Sequence, residues 1–296
     1  MVNKEEVEKY EKAGKIAKEV VDYSRKMIKK DMKLKDIADK IEEKILSLGG
    51  KLAFPVSLSI NDVAAHYTPK HDSEEKAFGL LKVDLGVHVN GFIADTAFSM
   101  DIDDIEENKK LIEASDKALQ EAIKLVEKKS MVNEIGGKIH DVITSLGFSP
   151  IRNLSGHELG EYKVHAGLTI PNYNNGNKKE FEEGAYAIEP FSTNGHGIVY
   201  DGNPSSIYRL IERKAIRDPL ARKIMDFMEK EYKGLPFCER WIFKKFGPMS
   251  LRSLRLMEKE GILHQYPQLI EKAHGKVSQS EHTILVLKEK VKITTK

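Results

Sequence analysis

The chain has 296 residues, of which 40% are hydrophobic and 32% charged, with a formal net charge of +2. This composition is typical of a globular protein with a large core, and it excludes a global nucleic-acid or membrane-binding footprint. Cys238 is the only cysteine, which excludes an internal disulfide framework and fits a reducing cytosol. The charged N-terminus lacks the apolar segment of a signal peptide, and no apolar run is long enough to span a membrane. These features predict a cytoplasmic protein.

Four amphipathic helices are predicted in the first half of the chain, because apolar residues recur there at helical spacing. The helices come in pairs, and strand-like sequence follows each pair. They cover 4–30, 33–48, 105–128 and 134–146. The segments KIEEKILSLGG and KIHDVITSLGF, which end the two pairs, share six of eleven residues. The sequence therefore predicts an α+β fold of two similar halves, each made of two helices and a sheet, with a functional site at their interface.

VDLGVHVNGFIADTA (83–97) is predicted to form a β-hairpin around Asn90-Gly91, because both residues tolerate the positive φ of a two-residue type I′ turn. The register set by this turn points Asp84 and Asp95 to the same face, roughly 7–8 Å apart at the backbone. Two carboxylates that converge in a buried sheet repel one another and are costly to desolvate. The hairpin therefore suggests a cation between them, with two unrelated strand-end aspartates as the alternative.

Residues 197–275 differ from the rest in composition and pattern. Segments such as RKAIRDPLARKIMDFMEKEY have helical spacing, and 200–275 carries 15 Lys/Arg against 10 Asp/Glu, a net charge of +5. We expect an inserted helical, winged-helix-like subdomain here, with 1–196 and 276–296 forming a catalytic domain. The segment 280–294 alternates like a closing strand and should rejoin the main sheet.

Further acids and histidines lie in strand-like or glycine-bearing sequence. Glu189 ends the apolar segment of EGAYAIEPF, and Glu281 directly precedes the apolar segment of SQSEHTILVL. His157 and His165 lie in NLSGHELGEYKVHAG, whose HELGE departs from the HExxH zinc motif, and His66 follows two alanines in AAHYTP. A single histidine is more often a structural hydrogen-bonding group than a ligand. These histidines therefore indicate a metal site only in combination with the acids.

Four acids share one anomaly, because each is embedded in apolar, strand-like sequence where an ionised carboxylate is expensive unless it is paired. They are Asp84, Asp95, Glu189 and Glu281. Carboxylates combined with histidine are typical of a two-metal site with bridging carboxylates. The oxygen-rich set suits Mn²⁺, Fe²⁺ or Co²⁺ better than a thiolate-rich structural zinc site. We expect two divalent metal ions per chain, drawn from Co, Mn, Fe and Zn.

Five ordered segments resemble the methionine aminopeptidases of the pita-bread fold: FPVSLSINDVAAHYTP, VDLGVHVNGFIADTA, NLSGHELGEYKVHAG, AIEPF and SQSEHT. The long insert between the last two resembles the type II branch, and the short N-terminal segment resembles its compact archaeal form. The resemblance covers nearly the whole chain. It implies a creatinase/aminopeptidase-like fold with two pseudo-symmetric halves. It also implies an enzyme that hydrolyses the initiator methionine from peptides and nascent proteins, preferring a small second residue.

The resemblance implies a ligand role for five of the candidates. One ion would be chelated by Asp84, the other by His157 and Glu189, and both would be bridged by Asp95 and Glu281. Every ligand position of the family is filled in this sequence.

The resemblance also implies catalytic and substrate-binding roles. Glu189 would carry the proton, His165 would stabilise the tetrahedral intermediate, and His66 would hold the substrate near its amino end and scissile amide. The methionine pocket would be lined by Phe54, Val164 and Phe191, with the insert shaping the cleft mouth. Ser280 stands where the family commonly has Phe, which puts the local packing in question.

Two other functions fit parts of the pattern. An Xaa-Pro peptidase would share the fold, although such enzymes usually carry a separate N-terminal domain. A non-catalytic pita-bread scaffold that binds protein or RNA would also share it, but such relatives have lost metal ligands. The charge of the insert suggests the hypothesis that the protein docks near ribosomal RNA, although a solvated surface without a partner is the favoured interpretation. A monomer is the default oligomeric state.

Overall fold

The computed structural model describes residues 2–296, which form seven α-helices and sixteen β-strands. The helices are α1 (Lys4–Met27), α2 (Leu34–Ser47), α3 (Glu106–Glu127), α4 (Val132–Ser145), α5 (Pro219–Tyr232), α6 (Glu239–Phe246) and α7 (Met249–Lys259). The four helices predicted in the first half of the chain are all present, with ends close to those expected. No helix within residues 2–296 is both long and apolar enough to cross a membrane.

The strands build four sheets. In chain order they are β1 (Lys51–Leu52), β2 (Ser57–Ile60), β3 (Val63–Ala65), β4 (Leu80–Val89), β5 (Phe92–Asp101), β6 (Ser149–Pro150), β7 (Ser155–Leu159), β8 (Thr169–Pro171), β9 (Gly184–Ile188), β10 (Phe191–Thr193), β11 (Val199–Leu210), β12 (Phe237–Cys238), β13 (Leu263–Glu271), β14 (Val277–Gln279), β15 (His282–Val286) and β16 (Val291–Ile293). The sheet orders are β1-β4-β2 with β5 paired to β4, β14-β10-β6, β12-β11-β13-β3, and β16-β15-β9-β7-β8.

The first helical pair covers one face of the β4–β5 sheet. α1 begins at a capping box, in which the Asn3 side chain accepts from the Glu6 N–H and the Glu6 carboxylate accepts from the Asn3 N–H. Apolar residues of α1 and α2 form one buried cluster with Val83 and Leu85 of β4. Because successive strand side chains alternate between faces, Asp84 points away from these helices.

The second helical pair covers the sheet that contains β9 in the same manner. Apolar residues of α3 and α4 form a buried cluster with Tyr186 and Ile188 of β9. The alternate residue Ala187 therefore faces the opposite side, and it pairs with His157 of β7 in the strand register. The uncovered faces of the two sheets thus carry Asp84 in the first half and His157 in the second.

The inserted stretch contains strands as well as helices. β11 pairs with β12 and β13, and β13 continues to β3, so this sheet joins the insert to the first half. α5, α6 and α7 pack together around a separate apolar cluster that includes Ile224, Phe237, Ile242 and Leu254. The division of the chain at 197–275 stays a prediction.

The closing segment is a hairpin rather than one continuous strand. β15 pairs with β9 and β16 pairs with β15, so the segment does rejoin the main sheet. The charged run 288–290 interrupts the apolar alternation, and the Leu287 N–H donates to Lys290 O across the turn. Charged residues in this position favour a solvated turn over a continued strand.

Candidate metal centre

The β4–β5 hairpin carries its two aspartates in the predicted register. The turn at Asn90-Gly91 has positive φ at both residues. Asp84 lies opposite Ala97, and Asp95 lies opposite Gly86. The prediction that both carboxylates leave the sheet on one face is therefore confirmed.

Glu281 is tied to this hairpin through the backbone. Its N–H donates to Ala97 O at 2.9 Å, and its carbonyl accepts from Thr96 Oγ1 at 2.8 Å. Two residues further on, Thr283 Oγ1 accepts from the Asp95 N–H at 2.7 Å and donates to Asp95 O at 2.8 Å. These bonds join β5 of the first half to β15 of the second, and they bring Asp95 and Glu281 together.

The second half adds a histidine and a fourth carboxylate. His157 Nε2 lies 3.8 Å from Asp95 Oδ2 and 3.6 Å from Glu189 Oε1. Ligand atoms of Asp95, His157 and Glu281 all lie within 4.8 Å of one another, and all three residues are buried. Such spacing brings several donors within reach of a common cation.

Burial dominates the electrostatics of the cluster. It raises the pKa of Asp84 to about 7. Burial first, and repulsion by the neighbouring carboxylates second, raise the pKa values of Asp95, Glu189 and Glu281 well above their usual range. Burial, followed by the charge of His165, lowers the pKa of His157 to about 3, so this ring is neutral and free to coordinate.

The donor set fits divalent metal ions. Asp84 Oδ1 and Asp95 Oδ1 are buried without a hydrogen-bond partner among the described residues. Buried acceptors that lack a partner cost free energy, and converging carboxylates add repulsion. A cation would satisfy both oxygens and offset the repulsion. Carboxylates with one imidazole are ligands that Mn, Fe, Co and Zn accept.

All ten side chains expected at the site line one cavity of about 450 Å³. They are Phe54, His66, Asp84, Asp95, His157, Val164, His165, Glu189, Phe191 and Glu281. The insert contributes a wall of the same cavity. From the sequence we expected the insert at the cleft mouth, but none of the residues that form this wall was named. Its lining residues are Ile207, Pro236, Tyr266 and Leu269.

Gly86 makes room for one wall of this cavity. A Cβ atom at Gly86 would lie 2.3 Å from Phe54 Cε1, which is closer than van der Waals contact allows. The hairpin residue opposite Asp95 therefore has to be glycine for the Phe54 ring to pack beside the carboxylates.

Two histidines face the cavity beside the cluster. His66 adopts φ +62°, and burial lowers its pKa to about 4, so the ring is neutral. Its ring packs edge-on against Tyr266 with centroids 5.6 Å apart. The His165 ring packs edge-on against His157 at 4.3 Å. A left-handed backbone at a residue other than glycine is strained, and such strain is common at functional sites.

Gln279 belongs to the centre although no sequence pattern singled it out. Its Nε2 donates to Asp84 Oδ2 at 3.2 Å and to Glu189 Oε2 at 3.4 Å. The available signal was its position two residues before Glu281 in SQSEHT, because strand alternation tends to place such residues on one side.

Ser280 points away from the cavity. Its Oγ lies 2.9 Å from Ser115 Oγ and donates to the Asp116 carboxylate on α3. Ser280, which stands where the resemblance implies Phe, therefore takes part in a hydrogen-bond network with α3 and is not among the residues that line the cavity.

Comparison with known proteins agrees with this geometry. The model of metallopeptidase family M24 matches residues 8–238. A methionine aminopeptidase of Methanocaldococcus jannaschii is 42% identical over 297 residues, covering 98% of this chain and 100% of the relative. One from Pyrococcus abyssi is 43% identical over 295 residues, covering 98% and 99%.

Solved structures share the fold over nearly the whole chain. A thermophilic Arx1 superposes with a TM-score of 0.83 at 15% identity, covering 99% of this chain and 91% of that one. A methionine aminopeptidase of Thermotoga maritima gives 0.70 at 22% identity, covering 99% and 98%. The expected pita-bread fold is confirmed, and the methionine aminopeptidase function is favoured over both alternatives. This chain belongs to the methionine aminopeptidases of metallopeptidase family M24.

Proposed function

We propose that this enzyme hydrolyses the N-terminal methionine from peptides and nascent proteins with the help of two divalent cations. The observation that carries the proposal is the convergence of four carboxylates and His157 in one cavity. One ion would be held by Asp84, the other by His157 and Glu189. Both would be bridged by Asp95 and Glu281.

The contacts of the cluster support this division. His157 Nε2 is near both Asp95 and Glu189, whereas Asp84 comes from the other half of the chain. When bound, such ions lower the pKa of a water molecule and polarise the scissile carbonyl. Co, Mn, Fe and Zn all accept this donor set.

Glu189 is the residue that we assign to proton transfer. Its carboxylate lines the cavity, within reach of a bound substrate, which is the first requirement for a general acid–base group. We assign His165 to the developing negative charge at the scissile carbonyl and His66 to the substrate near its amino end. Both rings line the cavity beside the carboxylates.

The apolar wall of the cavity supports a preference for methionine. Phe54, Val164 and Phe191 line the cavity together with the carboxylates. Aromatic rings make favourable contacts with a thioether, and the unbranched methionine side chain adapts to an irregular pocket. We further propose that limited space beside the scissile amide favours a small second residue.

The enzyme is proposed to meet its substrates in the cytoplasm, as a monomer, close to where nascent chains emerge. The net charge of +5 over 200–275 supports attraction to ribosomal RNA. Co-sedimentation with ribosomes should fall when the exposed Arg252 and Arg255 of α7 are both replaced by Glu. Unchanged co-sedimentation would exclude docking through α7.

Methionine release from a Met-Gly peptide tests the function. The chelated wild type should be inactive and should recover with Mn²⁺ or Co²⁺. Glu189→Gln should lower kcat by about 10²–10⁴-fold, the usual contribution of a general acid–base group. The exposed Glu180→Gln serves as a matched control and should keep full activity. Turnover of Xaa-Pro peptides alone would favour the other peptidase class, and no turnover with any divalent metal would favour a scaffold.

A further inference from the structure

Gln279 is a buried amide at the metal centre with no assigned role in the reaction. It ends β14 and is 1% exposed. Its Nε2 donates to one oxygen of Asp84 at 3.2 Å and to one oxygen of Glu189 at 3.4 Å. Asp84 comes from the first half of the chain and Glu189 from the second, so one amide spans the two halves of the site.

The backbone of Gln279 is held in place by Ser99 of β5. Ser99 Oγ donates to Gln279 O at 2.8 Å and accepts from the Gln279 N–H at 2.8 Å. Gln279 is also paired with Phe191 of β10 in the strand register. Because these contacts restrict the backbone of Gln279, the fold sets the position of its side-chain amide. The two carboxylates therefore accept hydrogen bonds from a donor whose position is fixed.

The contacts of Gln279 also decide which carboxylate oxygens remain available. The amide donates a hydrogen bond to Asp84 Oδ2, and Asp84 Oδ1 is left buried without a hydrogen-bond partner among the described residues. The same amide donates a hydrogen bond to Glu189 Oε2, and Glu189 Oε1 lies 3.6 Å from His157 Nε2. In both carboxylates one oxygen is occupied by the amide while the other stays available at the centre.

We propose that Gln279 is a positioning residue that orients Asp84 and Glu189 to receive the cations. The amide suits this task because it offers two N–H donors without adding a charge that would compete with a cation. Hydrogen-bond partners behind metal ligands commonly contribute about 10–100-fold to metal affinity. The inference rests on the proposed function, since it requires a metal-binding enzyme.

Titration of Mn²⁺ into the chelated protein by calorimetry tests the proposal. Gln279→Met keeps the side-chain length but removes the donors, and it should weaken Mn²⁺ binding by about 10–100-fold. Gln279→Asn keeps the amide on a stem one methylene shorter and should also lose affinity, because the position of the amide is what matters. The Asn variant is the fallback should the Met variant fail to fold.

Ser278→Ala is the matched control. Ser278 is the preceding residue of β14, is fully buried, and donates to Leu111 O of α3 at 2.7 Å. Its loss should lower thermal stability while leaving Mn²⁺ affinity within about twofold of the wild type, because its hydrogen bonds with Leu111 O, Ser115 Oγ and Ser192 Oγ are on the opposite face of the strand.

The outcomes separate the two proposals. If the wild type binds Mn²⁺ and folded Gln279 variants bind it equally well, the positioning role is overturned and the proposed function stands. If the wild type binds no divalent metal, both are overturned. Weaker binding in both Gln279 variants, but not in Ser278→Ala, supports the positioning role.

Discussion

Arg240 of α6 forms a two-pronged ion pair with Glu42 of α2, with Nη1–Oε2 at 2.7 Å and Nη2–Oε1 at 2.9 Å. Both residues are 5% exposed, and Trp241 Nε1 donates to the same carboxylate at 2.8 Å. The pair joins the insert to the first helical pair. The insert, which contributes a wall of the cavity, is therefore also held to the first half by a contact made outside the cavity.

Replacing one partner of this pair should be strongly destabilising. Arg240→Leu leaves Glu42 buried without its counter-charge, which commonly costs about 3–5 kcal/mol. Urea unfolding of the wild type and the variant measures the loss. Arg213→Leu is the matched control, because Arg213 pairs with Asp226 and Glu229 in solvent and its removal should change stability little. Equal effects of the two substitutions would contradict this assignment.

Gly86→Ala should damage the substrate pocket more than the metal site. The added Cβ would overlap the Phe54 ring, so the ring has to move out of its position in the cavity. We expect kcat/KM for a Met-Gly peptide to fall by about tenfold, a change of about 1.4 kcal/mol. Gly137→Ala on α4, where an added Cβ meets its first neighbour only at 3.6 Å, is the control. An unchanged kcat/KM in Gly86→Ala would remove Phe54 from the pocket wall.

His88 should make the hairpin sensitive to acid. Its Nδ1 accepts the Gly91 N–H at 3.1 Å, which only a neutral ring can do. Burial first, then the charges of Lys51 and Lys233, lower the pKa of His88 to about 4. The pKa of His88 in the folded state lies below the unfolded value of about 6.5. The stability that the neutral ring contributes to the folded state is therefore fully present above pH 6.5 and is lost as the pH falls toward 4.

The loss in the free energy of unfolding that His88 causes on acidification is on the order of 3 kcal/mol. Urea unfolding at pH 7.5 and pH 4.5 in the presence of chelator should show a smaller difference for His88→Gln than for the wild type. The same pH dependence in both proteins would assign the acid sensitivity to other groups.

Removal of divalent metal should destabilise the wild type. Ligands that bind only the folded state stabilise it by about 2.7 kcal/mol at a hundredfold excess over Kd. Thermal unfolding with chelator and with Mn²⁺ measures the difference in Tm. Asp95→Asn should abolish most of that difference, because the substitution removes a carboxylate proposed to bridge both ions. A full Mn²⁺-dependent shift in Asp95→Asn would argue against the bridging role.

Local features of the sequence determined much of the fold and part of the centre. The Asn90-Gly91 turn sets the hairpin register, because the positive φ angles that it needs are tolerated by few residues. That register is enough to place Asp84 and Asp95 on one face. Helical spacing likewise predicted the four helices of the two halves. The acids within apolar sequence could be recognised as candidate site residues because a buried charge is costly.

Only the tertiary structure decided which of these residues meet. Glu281 is held beside Asp95 by its backbone bond to Ala97 O of β5 and by the bond from the Asp95 N–H to the Thr283 hydroxyl of β15. His157 reaches Glu189 across β7 and β9. For the same reason, the contacts of Gln279 with Asp84 and Glu189, and of Tyr266 with His66, were not predicted. Alternation tells which face of its own strand a residue occupies, whereas the packing of the two halves and the insert decides what that face meets.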